Sequence, residues 1–529
     1  MQRRGRVRGV GRRTAAPSLL LVFVLVLVGI LTVSSVSGCG RVEFSEADSS
    51  VVLTIGYPIP RTATNETEGV RAIVSYLTEE GLLNIRLDGH SAYQLAEGHE
   101  VSEDGLAVTF DLRHGVRFHD GTELTSEIVK ASLDRSRNHP FYPMLAQIER
   151  METAGPHLLV IHRREPTALL FDDLAVPILK QTAQGRFVGT GPFFESDLDA
   201  AEITVLHASS HYYLGQPGID QVDIRTYETV RAAWAAMMRG EVDFLFEVPI
   251  DTRDFVDAGS GVHLFSFLLP YSYALSFNVR KPMFREASVR VALNQAVDRQ
   301  LLIKQALHGN GVAASGAIWP RHWAHRGDLT YRYNPERADR MLSDSGFRRP
   351  DARDAGQRDR MPSRLRFVCL VAQDVSPFEQ IALFLQKQMF DIGVDMQVRP
   401  VSISELNARI EQGDYDAVLT SLVGGPPLSR PYAWLRSSET RAFWTGYDAA
   451  DAALDALRRA ATDAAILEAA AHVQQIVYDD PPAIFLAWSR DKARAVSQRF
   501  AVPNELDEDP IQTLWQWQLR RGPNPDTQH

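Results

Sequence analysis

The chain has 529 residues, 45% of them hydrophobic and 23% charged, with a net charge of −10. That length exceeds what one hydrophobic core organises, so two or three lobes are expected, in a globular rather than a disordered or collagen-like chain. Residues 1–38 hold six arginines and no acid, which leaves the remainder near −16 and argues against nucleic acid as a partner.

MQRRGRVRGVGRR is a basic opening, and Leu19 to Val33 is an apolar run too short to span a bilayer comfortably. Val36-Ser37-Gly38-Cys39 follows, in the manner of a bacterial lipobox. This order predicts a signal peptide over 1–38, lipidation of Cys39 and a polar tether over 39–48; a plain signal peptide or membrane anchor with an incidental cysteine is the alternative. Cys369 is the one other cysteine, so a disulfide framework and a four-cysteine zinc site are excluded. Within the apolar LRFVCLV it reads as a small buried hydrophobe.

Val51 to Ile55 predicts a first strand, closed by the proline-rich turn Tyr57–Pro60, and Val70 to Leu83 predicts a helix carrying Ile73 and Leu77. In the stretch Gln94 to Ser136, Val108, Phe110 and Leu112 alternate with polar or small residues as in a half-buried strand. Asp104-Gly105, His114-Gly115 and Asp120-Gly121 are turn signals, Val116 and Phe118 predict a short second strand, and Thr125 or Ser126 caps a helix with Ile128, Val129 and Leu133. Further on, LLVIH (158–162) and FLFEV (244–248) predict strands. The glycines of Val188-Gly189-Thr190-Gly191-Pro192 suggest a crossover rather than a phosphate cradle, since no GxxxxGK[ST] pattern is present. His207 and His211, four apart without a nearby Glu or Cys, read as solvated or capping residues rather than a metal pair. The helix Val230–Arg239 places Trp234, Met237 and Met238 on one face and stops at Gly240. A strand run over 263–280 breaks at Pro270, and the helix after it carries Val289, Leu293, Ala296 and Val297. Asn334-Pro335 caps the helix ERADRMLSDS, residues 348–363 read as a solvated loop, and Ser376 with Glu379 forms a capping box for the helix that stops at Gly393. VDMQV and Tyr415–Leu419 predict strands, residues 448–471 an alanine-rich helix, and IFLAW (484–488) a last strand.

As a whole string, Gln94 to Ser136 resembles the signature of the family 5 solute-binding proteins of ABC importers, which include oligopeptide-, dipeptide- and nickel-binding proteins. Leu95-Ala96-Glu97, Glu100-Val101-Ser102, Asp104-Gly105-Leu106, Leu112-Arg113, Gly115-Val116 and Phe118-His119-Asp120-Gly121-Thr122 fall in register with it. Gly98-His99 departs from the usual Ser-Trp. Glu80-Gly81-Leu82, the VGTGP stretch, Glu241-Val242-Asp243 and the strand at Gly413-Asp414-Tyr415-Asp416 extend the similarity in family order.

The resemblance implies an α/β, periplasmic-binding-protein-like (type II) fold, with two lobes closing over a cleft by a hinge and a third accessory lobe. The expected division is lobe I over 49–90, 173–275 and 490–529, lobe II over 91–172, and lobe III over 276–489. It further implies a monomeric, non-enzymatic extracytoplasmic lipoprotein, membrane-anchored through Cys39. Such a protein captures a peptide or other extended small solute for ABC permease and ATPase subunits, without metal or cofactor. Ligand-binding candidates are Tyr271, Tyr273 and Asn278 on the hinge strand, Glu247, Gly424 and Gly425 at strand ends, and Trp434, Trp444 and Trp488 as aromatic lining. Two rivals are a nickel- or metallophore-binding importer component, for which no tight HxH cluster speaks, and a secreted hydrolase, which lacks GxSxG, HExxH and CxxC. Peptide-binding members usually place an Asp for the peptide's α-amine just after the GxYD strand. Gly425 stands there in this chain, and no acid follows before Glu439, so selection by a free amine is not expected.

Overall fold

The computed structural model describes residues 50–520, apart from 60–66, 140, 196–202, 250–260, 348–363, 374, 376, 439–444 and 491. Cys39 with its leader and tether, Trp444, the loop 348–363 and the Ser376 half of the capping box lie outside the described residues.

Two large sheets and one smaller sheet carry the molecule. The first has seven strands in the order Phe193–Glu195, Thr204–Ala208, Gln221–Tyr227, Val52–Pro58, Phe244–Pro249, Lys492–Ser497 and Val262–Phe265. Val52–Pro58 runs parallel to both neighbours, and every residue of it after Val52 is buried, as expected of a central strand covered on both faces. The second sheet has six strands: Gly311–Ala313, Ala483–Ser489, Tyr271–Phe277, Ala417–Val423, Arg366–Ala372 and Asp395–Val401. The third is an antiparallel four-stranded sheet of Ala96–Val101, Ala107–Leu112, Leu158–Arg163 and Ile148–Gly155.

The connections matter more than the sheets. All strands of the six-stranded sheet lie in sequence between two crossings from the seven-stranded one, at 266–270 and after Ser489. The crossings run side by side: the Leu269 amide donates to the Ser489 carbonyl at 2.8 Å. The four-stranded sheet is inserted in turn between Val52–Pro58 and Phe193–Glu195. Its apolar core is continuous with that of the helices Ser429–Leu435, Asp451–Arg459 and Asp463–Asp479, through Leu428, Leu435, Leu454 and Ile466.

Local signals in the sequence recur as atoms. Thr125 Oγ1 accepts from the Ile128 amide, Asn334 Oδ1 from the Arg337 amide, and Gly413 closes its helix in the left-handed region. Cys369 is buried, and burial pushes its thiol up to about 12, which keeps it un-ionised and inert.

Four expectations differ from the structure. Val116 and Phe118 form no strand; a single bridge, Arg117 to Glu123, closes a tight loop that buries both side chains. The helix expected over Val70–Leu83 runs Thr67–Thr78, because Glu80 turns inward to a set of hydroxyl donors. The alanine-rich helix is two, Asp451–Arg459 and Asp463–Asp479: the Ala460 carbonyl is taken by the Ala168 amide and Thr462 starts a new cap. Met238 lies 44% exposed, off the buried face of Met237, at the last residue of the helix.

Candidate ligand cleft

The two crossings bring one end of the six-stranded sheet against the seven-stranded sheet. In that sheet Tyr271 pairs with Val423 and Ser272 with Trp488. Beyond the strand end, the Gly424 amide donates to the Pro270 carbonyl at 2.9 Å. Trp488 is wholly buried, edge-on to Trp319 at 5.2 Å, and a Cβ on Gly424 would stand 2.6 Å from its ring. Gly425 has φ +79 and a Cβ there would touch Pro270 at 3.0 Å, so an aspartate at this position would be strained. Tyr271 packs against the cores of both sheets, while Tyr273 is buried edge-on to Phe378 at 5.7 Å. Tyr271, Tyr273, Gly424, Gly425 and Trp488 are therefore brought together.

The other candidates are placed elsewhere. Asn278 sits at the opposite end of its strand, donating to the carbonyls of Gly413 (3.1 Å) and Tyr415 (3.0 Å), a framing role. Glu247 belongs to the seven-stranded sheet and pairs with Lys492 at 2.9 Å. Trp434, on the helix Ser429–Leu435, packs 5.9 Å from Phe485 in the core. His211 Nδ1 bonds Ser210 Oγ, the His207 ring stands 5.9 Å from Phe194, and among the described residues no group of three potential metal ligands occurs.

A further set of residues, which sequence spacing did not pick out, lines the same region. Arg494 is buried with its guanidinium 3.7 Å from the Phe246 ring and 5.3 Å from Phe267, and Asp509 accepts from it twice, at 3.3 and 3.1 Å. Tyr57 extends this aromatic wall, edge-on to Phe246 at 6.1 Å. Tyr76 is 51% exposed, yet desolvation raises its phenol pKa, with Asp509, Arg494 and Tyr142 as charged or polar neighbours. A side chain that is wetted but ringed by protein is what a cleft produces. Glu79, three residues on, is likewise held up by desolvation, and it acts electrostatically on Tyr142. Arg430 stands 4.9 Å above the Tyr142 ring and 5.7 Å from that of Phe141, which is itself 53% exposed.

Beside this wall lies a cavity of about 290 Å³ lined by Tyr76, Glu79, Glu80, Tyr93, Arg113 and Trp515, among others. Its floor is the carboxylate of Glu80, which accepts from Thr190 Oγ1 (2.8 Å), Tyr212 Oη (2.9 Å), Tyr213 Oη (3.0 Å) and Gln94 Nε2 (3.1 Å). Desolvation raises its pKa despite these four donors. With both oxygens used by the protein, Glu80 joins segments from 78 to 213 rather than holding a ligand.

Comparison with known proteins follows the same lines. Residues 92–444 match the family model described as bacterial extracellular solute-binding proteins, family 5. The glutathione-binding protein GsiB of Shigella flexneri is 26% identical over 350 residues, covering 63% of this chain and 65% of the relative, and that of Escherichia coli K12 is 25% identical over 350 residues. The chain thus spans about two thirds of the length of the curated relatives it matches. Among solved structures, CtaP of Listeria monocytogenes superposes with a TM-score of 0.75 at 19% identity, covering 89% of this chain and 99% of that one. NikZ of Campylobacter jejuni, in complex with Ni(L-His), gives 0.72 at 20% identity over 88% and 99%. AppA of Bacillus subtilis, in complex with a nonapeptide, gives 0.71 at 20% identity over 89% and 100%. The fold is that of the type II periplasmic-binding-protein-like structures, and the chain belongs to the bacterial extracellular solute-binding proteins, family 5.

Proposed function

We propose that this protein is an extracytoplasmic solute-binding lipoprotein that captures a peptide or peptide-like solute and delivers it to the permease and ATPase subunits of an ABC importer. The observation that carries the reading is the aromatic-walled cleft at the junction of two sheets joined by two adjacent crossings, at 266–270 and after Ser489. Lobe I (49–90, 173–275, 490–529) and lobe III (276–489) close over that cleft about these crossings, with lobe II (91–172) alongside. The ligand is held without chemistry being done on it, and the protein acts as a monomer.

A cognate ligand at a hundredfold excess over its dissociation constant adds roughly 2.7 kcal/mol to the unfolding free energy, by mass action. It also shrinks the radius of gyration measured by small-angle scattering as the lobes close. A saturating ligand that left both unchanged would remove the hinged-binder reading.

Membrane attachment rests on Cys39, preceded by the basic, apolar and small-residue stretches described above. Cys39→Ser is expected to yield released or unprocessed protein on cell fractionation. Normal processing with full membrane retention of that variant would contradict it.

A nickel or metallophore cargo is the second reading, favoured by fold neighbours crystallised with nickel–histidine complexes, NikZ among them. Such a complex brings its own ligands, so the cleft needs to supply few. Metal analysis of the purified protein, before and after incubation with nickel and L-histidine, separates this reading from the peptide one.

A further inference from the structure

Several cations around the cleft face acids among the described residues. Arg494 faces Asp509 at 3.1 Å, Arg321 faces Asp507 at 2.9 Å, and Lys492 faces Glu247 at 2.9 Å. Arg430 forms no ion pair among the described residues, and its Nη1, shielded from water, has no hydrogen-bond partner there. A buried, unsatisfied guanidinium donor is costly, and a site that leaves one open is completed when an acceptor arrives.

Two carboxyls lie near Arg430 and neither meets it. Asp172 Oδ2 accepts from the Ser429 amide at 3.1 Å, and Asp173 Oδ2 from the Met144 amide at 2.6 Å. Burial pushes both up to about 7, with mutual repulsion adding to Asp172, so around neutrality the pair carries less than its formal charge. His139 and Tyr142 complete the polar surroundings. The guanidinium carbon stands 4.9 Å from the Tyr142 ring and 5.7 Å from the Phe141 ring, and Tyr142 also hydrogen-bonds the side chain, which leaves Nη1 as the donor open to an acceptor.

Arg430 also follows directly on the Gly424–Pro427 turn, where Gly425 cannot accommodate an acid. The local chemistry of that strand end is thereby suited to an anion rather than to an ammonium group. We infer that Arg430 binds a carboxylate of the solute, so that the ligands of this protein are peptide-like molecules selected by an anionic group and not by a free amine. This rests on the peptide-type reading given above and specifies its substrate class.

The test begins with the purified protein and a casein digest, washed and analysed by mass spectrometry for retained peptides. If nothing is retained, the peptide-type reading itself fails and this inference with it. If peptides are retained, the tightest is synthesised as the free acid, the C-terminal amide, the N-acetyl form and a form with Asp and Glu changed to Asn and Gln. Calorimetry is expected to show at least a tenfold loss for either the amide or the Asn/Gln form, which identifies whether the main chain or a side chain supplies the carboxylate, and less than a threefold change on acetylation. In Arg430→Gln that discrimination disappears while the unfolding midpoint without ligand is kept; Arg430→Lys restores part of it. Equal affinity for all carboxylate-blocked forms, or full discrimination retained by Arg430→Gln, overturns the inference, as does a tenfold loss on acetylation alone.

Discussion

Replacing Gly189 or Gly191 by alanine is expected to destabilise the protein by about 3–5 kcal/mol, the range of the most damaging single substitutions. At Gly189 the added Cβ would stand 2.1 Å from the Thr78 carbonyl oxygen, and at Gly191 it would stand 2.6 Å from the Thr78 carbonyl carbon and 2.7 Å from the Leu77 oxygen. All of these are backbone atoms, so no rotamer change relieves the clash. The end of the helix Thr67–Thr78 would have to move off the 187–195 segment, breaking the Gly191 amide bond to Thr78 (3.0 Å) and the Thr190 bond to Glu80. Tyr76 and Glu79 ride on that same helix end, so ligand affinity should fall with stability. Gly155→Ala is the control: nothing lies within 4 Å of its Cβ position and its φ is ordinary, so its effect should stay within about 0.5 kcal/mol. Urea unfolding curves of the three variants decide the matter. Wild-type midpoints for Gly189→Ala and Gly191→Ala would mean that the close approach is not real.

Stability is expected to fall as pH rises from 5 to 7, through the buried carboxyl of Asp173. Its pKa is pushed up to about 7 by burial, whereas in the unfolded chain it titrates near the ordinary aspartate value of 3.8. The folded state therefore holds a proton that the unfolded state has released, and ∂ΔG/∂pH is negative between those limits. One such group contributes about 1.4 kcal/mol for each pH unit. The contribution is complete below about pH 4, is lost progressively up to about 7, and is flat above. Asp173→Asn keeps an acceptor for the Met144 amide but binds no proton. The difference in unfolding free energy between wild type and variant should thus shift by roughly 2–3 kcal/mol in favour of the variant between pH 5 and pH 7. Asp172 is the less suitable probe, because repulsion from Asp173 adds there to the effect of burial. A difference independent of pH would place the Asp173 titration near that of the unfolded chain.

Several parts of the molecule are legible in the sequence alone. The strand Ala107–Leu112 follows from strict alternation, and the helix Ser126–Ser136 from its threonine cap and apolar spacing. Such patterns are read over a few residues because backbone sterics and side-chain periodicity act over a few residues. Even the VGTGP stretch disclosed its glycines as structural, though not that two of them lie against Leu77 and Thr78 more than a hundred positions away.

The cleft was only half legible, and the division has a physical cause. Tyr271, Gly424 and Trp488 could be named because they end strands that sequence pattern already placed. Asn278 was expected at the ligand, but its side chain donates to the carbonyls of Gly413 and Tyr415, partners set by strand pairing across more than 130 positions. Arg430, Phe141, Tyr142 and Tyr76 carry no mutual spacing at all. Their chemistry exists only where the inserted four-stranded sheet, the first helix and the segment after Val423 are packed together. By itself, the sequence determined the family, most of the strands and helices, and the absence of an acid at position 425, all of which are local. Tertiary structure alone decided which cation faces the cleft without a carboxylate partner among the described residues, because charge pairing depends on distance through space and not along the chain.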